Sequence, residues 1–271
     1  MQCSNLAFYC SGLTRSILNE KREFSPNMVH VMTPKKKFYT REEAQALVDS
    51  RPWWYQAFEI FPGIRTPGVY DPSGTFGAMD FPDNMEGISV LETGPAERYF
   101  TKQLSNRGAI VTSCDYMDKM FHGFGIMEQL HEKPLNFIQS NLYDLPLKAP
   151  GPYDLVLCMG LLYHLPDLVR ALHTLRMVCK TDLIVETLVS TDLGDEPLAR
   201  YHPGSSLNND LTNFWSPNIA CTQAILNDCG FIVDRTRLIS EHAGSGRAAF
   251  WCHVAPAVPG QTIKSDLAYT T

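Results

Sequence analysis

The stretch Gly87-Ile-Ser-Val-Leu-Glu-Thr-Gly-Pro-Ala-Glu-Arg98 decides how the rest of the chain is read. Ile88, Val90 and Leu91 are β-branched or apolar, the composition of a strand buried between helices. The run stops at Glu92, and Gly94 allows a sharp turn with the backbone close to a ligand. Residues 99–106 continue with a helical pattern. The unit is strand, loop, helix. In open α/β sheets, the crevice at the carboxyl end of such a strand is where nucleotides bind.

From Glu92 to Arg98 the loop reads E-x-G-x-A-x-R. Only one glycine remains of the G-x-G-x-x-G that cradles a pyrophosphate. An acid ahead of the glycine suits a ligand carrying an amine and hydroxyls, and S-adenosylmethionine is such a ligand. An ordinary strand–turn–helix is the competing interpretation of the loop alone. The next strand, over 109–114, ends in Asp115. An acid about 20 residues past the glycine loop fits the ribose-hydroxyl acceptor of a nucleoside site.

Upstream, residues 1–38 show no clear period. Thr40 and Glu43 form a capping-box pattern that opens a helix ending near Ser50. The aromatic run 53–71, broken by Pro62, Gly63, Pro67 and Gly68, is expected to cover the site as a lid or to plug the sheet. Residues 72–87 connect it to the first strand.

Downstream, a weak helix is expected over 117–132 and a third strand over 135–139. The polar turn 140–146 follows, placed to contact an adenine edge. A fourth strand spans 153–159, a helix 168–179, a fifth strand 182–189, and a polar insertion 190–217. A helix over 218–228 stops at Gly230. Strands 231–238 and 248–254 pair antiparallel around Gly244-Ser-Gly246. Strands alternating with helices, then a terminal pair, predict a doubly wound, seven-stranded, mostly parallel sheet. The expected divisions are an extension and lid over 1–80, a ligand-binding domain over 81–256, and a mobile tail over 257–271.

The chain has 271 residues, 44% of them hydrophobic, and a net charge of −6. That is enough for one elaborated domain with its own core, and it argues against a broad nucleic-acid footprint. No apolar run is long enough to span a membrane, and the first residues lack signal-peptide features. None of the eight cysteines forms a C-x-x-C pair. Cys114, Cys158 and Cys252 fall in strand-like runs and read as reduced core thiols of a cytoplasmic protein. No His/Cys cluster has metal-ligand spacing, so no metal is expected.

The segment VLCMGLLYHLPD (156–167), with VETLV (185–189), TPG at Pro67 and WSPN at Trp215, resembles the class I S-adenosylmethionine-dependent methyltransferases. It is similar to the branch holding the tRNA wobble-uridine carboxymethyltransferase and many small-molecule methyltransferases, over about residues 50–255. The resemblance implies a Rossmann-like fold with S-adenosylmethionine as cofactor and S-adenosylhomocysteine as product. It implies that Glu92 and Gly94 face the methionine moiety, Asp115 takes the ribose hydroxyls, and Asn141 and Leu142 flank the adenine. Met159 and Tyr163 would line the cofactor, while His164 and Glu186 point toward the acceptor. Ala96 and Arg98 depart from the family's glycines. The basic residue that reads a carboxylate in the carboxymethyl-transferring relatives would fall near Tyr55 and Gln56, where this chain has neither Lys nor Arg. Plain methyl transfer is therefore expected.

Tyr163, His164 and Glu186 are the catalytic candidates. An oxygen nucleophile or a protonated amine needs a base, for which His164 or Glu186 qualifies; a thioether or neutral amine needs none. The expected acceptor is a small polar molecule held between 53–70 and 190–217, near Tyr55, Gln56, Asn213 and Trp215. Arg65, Arg200 and Arg247 are candidates to pair an acceptor carboxylate. Two alternatives remain: a tRNA-modifying enzyme of the same branch, and a binding protein that kept the fold without catalysis. Nucleic acid and membrane partners are not expected, and a homodimer is one assembly open to the chain.

Overall fold

The computed structural model describes residues 38–131, 135–149, 151–258 and 262–269. The extension expected over residues 1–37 lies outside them. The main sheet has seven strands: β1 Ser89–Thr93, β2 Ile110–Asp115, β3 Asn136–Gln139, β4 Tyr153–Met159, β5 Cys179–Ser190, β6 Phe231–His242 and β7 Ser245–Val254. Their order across the sheet is β6-β7-β5-β4-β1-β2-β3. β7 lies antiparallel between β5 and β6, and the remaining neighbours are parallel. The helices used below are α1 Arg41–Asp49, α2 Tyr99–Asn106, α3 Phe124–Leu130, α4 Leu168–Val178 and α5 Ile219–Asp228.

The near-continuous apolar runs of β1 and β4 follow from burial on both faces. Val90, Leu155, Leu157 and Ile184 pack with Phe100 and Leu104 of α2. Their sequence neighbours Leu91, Val156, Cys158 and Val185 pack with Ala171, Leu172 and Leu175 of α4 on the other face. At roughly 1.5–3 kcal/mol per fully buried large apolar side chain, the two layers fix the strand order that brings β1, β2 and β4 side by side. Helix starts are set locally: Thr40 and Glu43 form a complete capping box, Asp167 caps α4, and Asn218 caps α5.

Several expectations change. The helix expected over 117–132 shortens to α3, because residues 116–123 turn instead and Gly123 begins the helix in the left-handed region. β5 and β6 run to Ser190 and His242, beyond their apolar stretches, since β7 supplies backbone partners that far. Glu186 sits inside β5, as it does in the expected strand over 182–189. The β6–β7 connection narrows to Ala243-Gly244, since Ser245 and Gly246 already pair in the ladder. The connector over 72–87 contains the short helix Ser73–Ala78. The insertion carries a two-stranded ribbon of Ala199–Tyr201 and Trp215–Pro217. The described part of the tail is docked rather than loose: Ser265 N donates to Asp228 O at 3.1 Å, and the Tyr269 ring packs on His173 with centroids 5.3 Å apart.

The aromatic segment forms a compact cap. Trp54, Phe58, Ile60 and Ile64 bury against Ala44 and Val48 of α1 and Ile126 and Met127 of α3, not against the sheet. Its two arms run backbone to backbone: Ala57 N donates to Tyr70 O at 2.7 Å and Tyr70 N to Tyr55 O at 2.9 Å. Gly68 makes this approach possible, as a Cβ there would lie 2.2 Å from the Gln56 carbonyl carbon.

Candidate active site

A cavity of about 930 Å³ opens at the carboxyl ends of β1, β2 and β4, under the aromatic segment. Among the sequence-predicted residues, Tyr55, Gln56, Glu92, Gly94, Asp115, Asn141, Leu142, Met159, Tyr163, His164 and Glu186 all border it. Arg65, Asn213 and Trp215 do not. Arg65 is exposed and pairs with Asp71 at 2.5 Å. Asn213 donates to Leu207 O at 3.1 Å, and the Trp215 indole to Pro166 O at 3.0 Å. These two side chains hold the insertion rather than line the cavity. Arg200 is likewise taken by Asp192, at 3.0 Å.

The loop after β1 keeps a glycine-rich backbone shape with other residues in it. Gly94, Ala96 and Arg98 have φ of 67°, 49° and 71°, and for Ala96 and Arg98 the left-handed region costs roughly 1–2 kcal/mol each. A Cβ at Gly94 would come within 3.3 Å of the Leu161 side chain, so the loop lies tight against the end of β4. Arg98 turns its side chain away from the cavity. Its Cζ sits 3.0 Å from the Phe124 ring centroid and Nη2 donates to Asn136 O at 2.6 Å. Burial lowers its pKa to about 9.

Glu92 is fully buried and points beneath α2, where the Thr101 hydroxyl donates to it and in turn meets Ser113 Oγ at 2.9 Å. Burial raises its pKa to about 7, against the pull of the Thr101 bond. The carboxylate expected to face a ligand amine is thus engaged inside the fold. Asp115 ends β2. Its Oδ1 accepts Met117 N at 2.9 Å, and burial raises its pKa while His122 and the backbone bonds oppose the rise. Asn141 uses its Oδ1 on Tyr143 N at 3.0 Å, shaping the turn that carries Leu142.

The cap is clamped to the loop by residues that the sequence alone did not single out for this task. Glu97, fully buried, accepts Tyr55 N at 2.9 Å and Gln56 N at 3.0 Å. Gln56 Oε1 accepts Tyr99 N at 3.1 Å. Gln56 is therefore a clamp that also borders the cavity. Trp53, Tyr55 and Tyr70 stack in sequence along one wall, with centroid distances of 6.2 and 5.4 Å.

At the other wall Glu186 and Arg247 form a bidentate pair, with both N–H···O distances 2.5 Å. Glu186 opposes Ala249 across the β5–β7 ladder, two residues from Arg247 on the same face, the diagonal separation at which long side chains meet. Arg247 packs over the Tyr163 ring at 4.9 Å. Burial would lower its pKa, but Glu186 overcomes that and raises it. A cation does reach the space near Tyr55, delivered by β7 rather than by the cap, and it is already neutralised. Both Glu186 oxygens are engaged in this charge-assisted pair.

His164 and two unforeseen residues, Asp210 and Thr212 of the insertion, complete that side. Asp210-Leu-Thr212 carries the local sign of a turn, in which Asp210 Oδ1 accepts Thr212 N at 2.8 Å. Its approach to His164 depends on the fold. Among the described residues no group of His, Cys, Asp and Glu has the arrangement to hold a metal ion, and no helix is long and apolar enough to cross a membrane.

Residues 91–184 match a family model described as a methyltransferase domain. A ubiquinone biosynthesis O-methyltransferase of Chromobacterium violaceum is 33% identical over 107 residues, 36% of this chain and 44% of that protein. A tRNA U34 carboxymethyltransferase of Dichelobacter nodosus is 31% identical over 115 residues, 41% of this chain and 36% of that protein. The chain thus spans less than half the length of these curated relatives. Among solved structures, the N-terminal domain of EvdMO1 with SAH bound superposes with a TM-score of 0.61 at 18% identity, over 82% of this chain and 99% of that one. That similarity shows a shared fold.

Proposed function

We propose that this chain, which carries a class I S-adenosylmethionine-dependent methyltransferase domain, transfers a methyl group from S-adenosylmethionine to a small polar acceptor and leaves S-adenosylhomocysteine. One observation carries the reading: the Gly94 loop, the Asp115 carboxylate and the Leu142 turn converge on a single cavity at the carboxyl ends of adjacent strands. That is where an open α/β sheet holds a nucleoside. The cavity, about 930 Å³, has the volume of a cofactor site with an acceptor pocket beside it.

The residues present fit the cofactor. Asp115 offers a half-buried carboxylate to paired hydroxyls, the Gly94 loop offers close backbone, and Leu142 an apolar edge for a base. When bound, S-adenosylmethionine supplies the electrophilic sulfonium methyl. The chain's own part is to hold the acceptor near 3 Å from that carbon and to exclude water. The aromatic cap, clamped through Glu97, and the wall of Tyr163, His164 and the Glu186–Arg247 pair are suited to that.

Similarity to the carboxymethyltransferase favours a tRNA acceptor as the second reading. A net charge of −6 weighs against a polyanion, and Arg247, the arginine lining the acceptor wall among the described residues, is already paired with Glu186. Ala96 and Arg98 would favour a binding protein without catalysis; against that, the loop keeps its shape and the buried Arg98 side chain turns away from the cavity onto Phe124 and Asn136. Titration calorimetry with S-adenosylhomocysteine tests the proposal. Asp115→Ala is expected to weaken binding by roughly 1–3 kcal/mol, the cost of unpaired hydroxyls. Unchanged affinity would reject the site.

A further inference from the structure

We propose that His164 accepts the acceptor's proton on Nε2, and that Asp210 and Thr212 are positioning residues that fix the imidazole tautomer for this role. The inference rests on the methyl-transfer reading and narrows it: the acceptor is one that loses a proton on methylation, a hydroxyl or a protonated amine rather than a thioether.

His164 follows β4 in the short turn Leu162–His164, and its ring borders the cavity. Its Nδ1 faces the insertion, 3.2 Å from the carbonyl oxygen of Thr212 and 2.9 Å from Thr212 Oγ1. The Thr212 hydroxyl donates to Asp210 Oδ1 at 2.7 Å. An ionised carboxylate can only accept, and a hydroxyl has one proton, so Thr212 has lone pairs alone left for Nδ1. The carbonyl also only accepts. Two acceptors on Nδ1 require that Nδ1 carry the proton, which leaves the lone pair of the neutral ring on Nε2. Nε2 has no hydrogen-bond partner among the described residues.

The charges around the ring agree. Burial works against the Asp210 carboxylate, but the two bonds from Thr212 hold its pKa below the usual range. Burial lowers the pKa of His164, with Thr212 and Asp210 opposing and Arg247 adding to the fall. The Tyr163 ring lies 4.1 Å away, and Glu186 is locked to Arg247. With Nδ1–H held by Thr212, the free lone pair on Nε2 can take a proton, and the resulting imidazolium keeps its Nδ1–H bonds beside Asp210.

The step balances. The acceptor oxygen or nitrogen forms its bond to the methyl carbon as the carbon–sulfur bond breaks, and that electron pair stays on sulfur in S-adenosylhomocysteine. The acceptor proton passes to Nε2 and from there to water.

Nitrogen-15 NMR of histidine-labelled full chain tests this without an acceptor. His164→Gln assigns the signal. The expected wild-type spectrum is the Nδ1–H tautomer of His164, kept when S-adenosylhomocysteine is added. In Asp210→Asn the new amide donates to Thr212 Oγ1, which frees the hydroxyl proton for Nδ1. The tautomer ratio should then move toward Nε2–H by roughly tenfold, one net hydrogen bond. Thr212→Ser retains the hydroxyl and should keep the wild-type spectrum; Thr212→Val should also lower the Nδ1–H preference, and serves if Asp210→Asn does not fold. A wild-type Nε2–H tautomer, or a ratio unmoved in both disruptive variants, overturns the proposal. Calorimetry with S-adenosylhomocysteine on the same proteins separates the two readings: absent binding in the wild type rejects the methyltransferase reading whatever the tautomer, and unchanged binding in the variants places their effect on the base alone.

Discussion

Glu92→Gln separates a buried acid that is protonated near neutrality from one that is ionised throughout. The carboxyl is fully buried, and its pKa rises from 4.5 to about 7 through burial. Because the folded pKa is the higher, the folded chain holds this proton more tightly than the unfolded chain. Below about 4.5 both states are protonated and the group costs nothing. Between about 4.5 and 7 the folded state keeps a proton that the unfolded state has lost, so stability falls as pH rises through this window. Above about 7 both are ionised and the full cost of burying the charge remains, about 3 kcal/mol at 1.36 kcal/mol per pH unit. Glutamine has nearly the same shape, accepts the Thr101 bond and has no proton to lose. Urea unfolding of both proteins from pH 4.5 to 8, with linear extrapolation to water, should show the variant gaining about 3 kcal/mol relative to wild type across that range. Other titrating groups cancel in the difference. Against a total stability of about 5–15 kcal/mol the change is easily measured. A difference that stays flat within about 0.5 kcal/mol would refute the reasoning.

Glu97→Ala leaves the part-buried amide of Tyr55 and the buried amide of Gln56 without their acceptor, at roughly 1–3 kcal/mol for the buried group and less for the other. Hydrogen exchange over 53–71 should speed up by one to two orders of magnitude, and unchanged protection would show that the cap is held by its apolar contacts alone. Glu186→Gln strips the counter-charge from Arg247, whose side chain is 29% exposed, and should cost about 3 kcal/mol, the lower end for breaking a buried pair. Glu186→Gln with Arg247→Met should recover most of this in urea unfolding; no recovery would mean that the pair matters for shape, not charge. In wild type, S-adenosylhomocysteine should slow exchange at 53–71, and no slowing would remove the lid role.

The seven main-sheet strands and the helix starts after Thr40, Asp167 and Asn218 were legible in the chain because their causes are local, whereas the start of α3, the helix Ser73–Ala78 and the ribbon strands of the insertion were not. A buried parallel strand is an apolar run, and the caps at Thr40, Asp167 and Asn218 bond within three residues of themselves. The loop from Glu92 to Arg98 and the acid at 115 could be placed for the same reason: each sits where a strand must stop. Spatial partnership was not legible. Glu186 and Arg247 are 61 residues apart and meet only because β7 threads between β5 and β6 in one register; read alone, Glu186 is a candidate base and Arg247 a candidate partner for an acceptor carboxylate, and nothing local pairs them with each other. His164 depends on a loop 48 residues away for its tautomer. Arg98 looked like an obstacle to a ligand until Phe124 and Asn136 gave its side chain another place to go. Backbone propensity acts over a few residues and is written in the sequence around each position. The pairing of charges and the direction of side chains depend on sheet register and packing between distant segments, which only the tertiary structure decides.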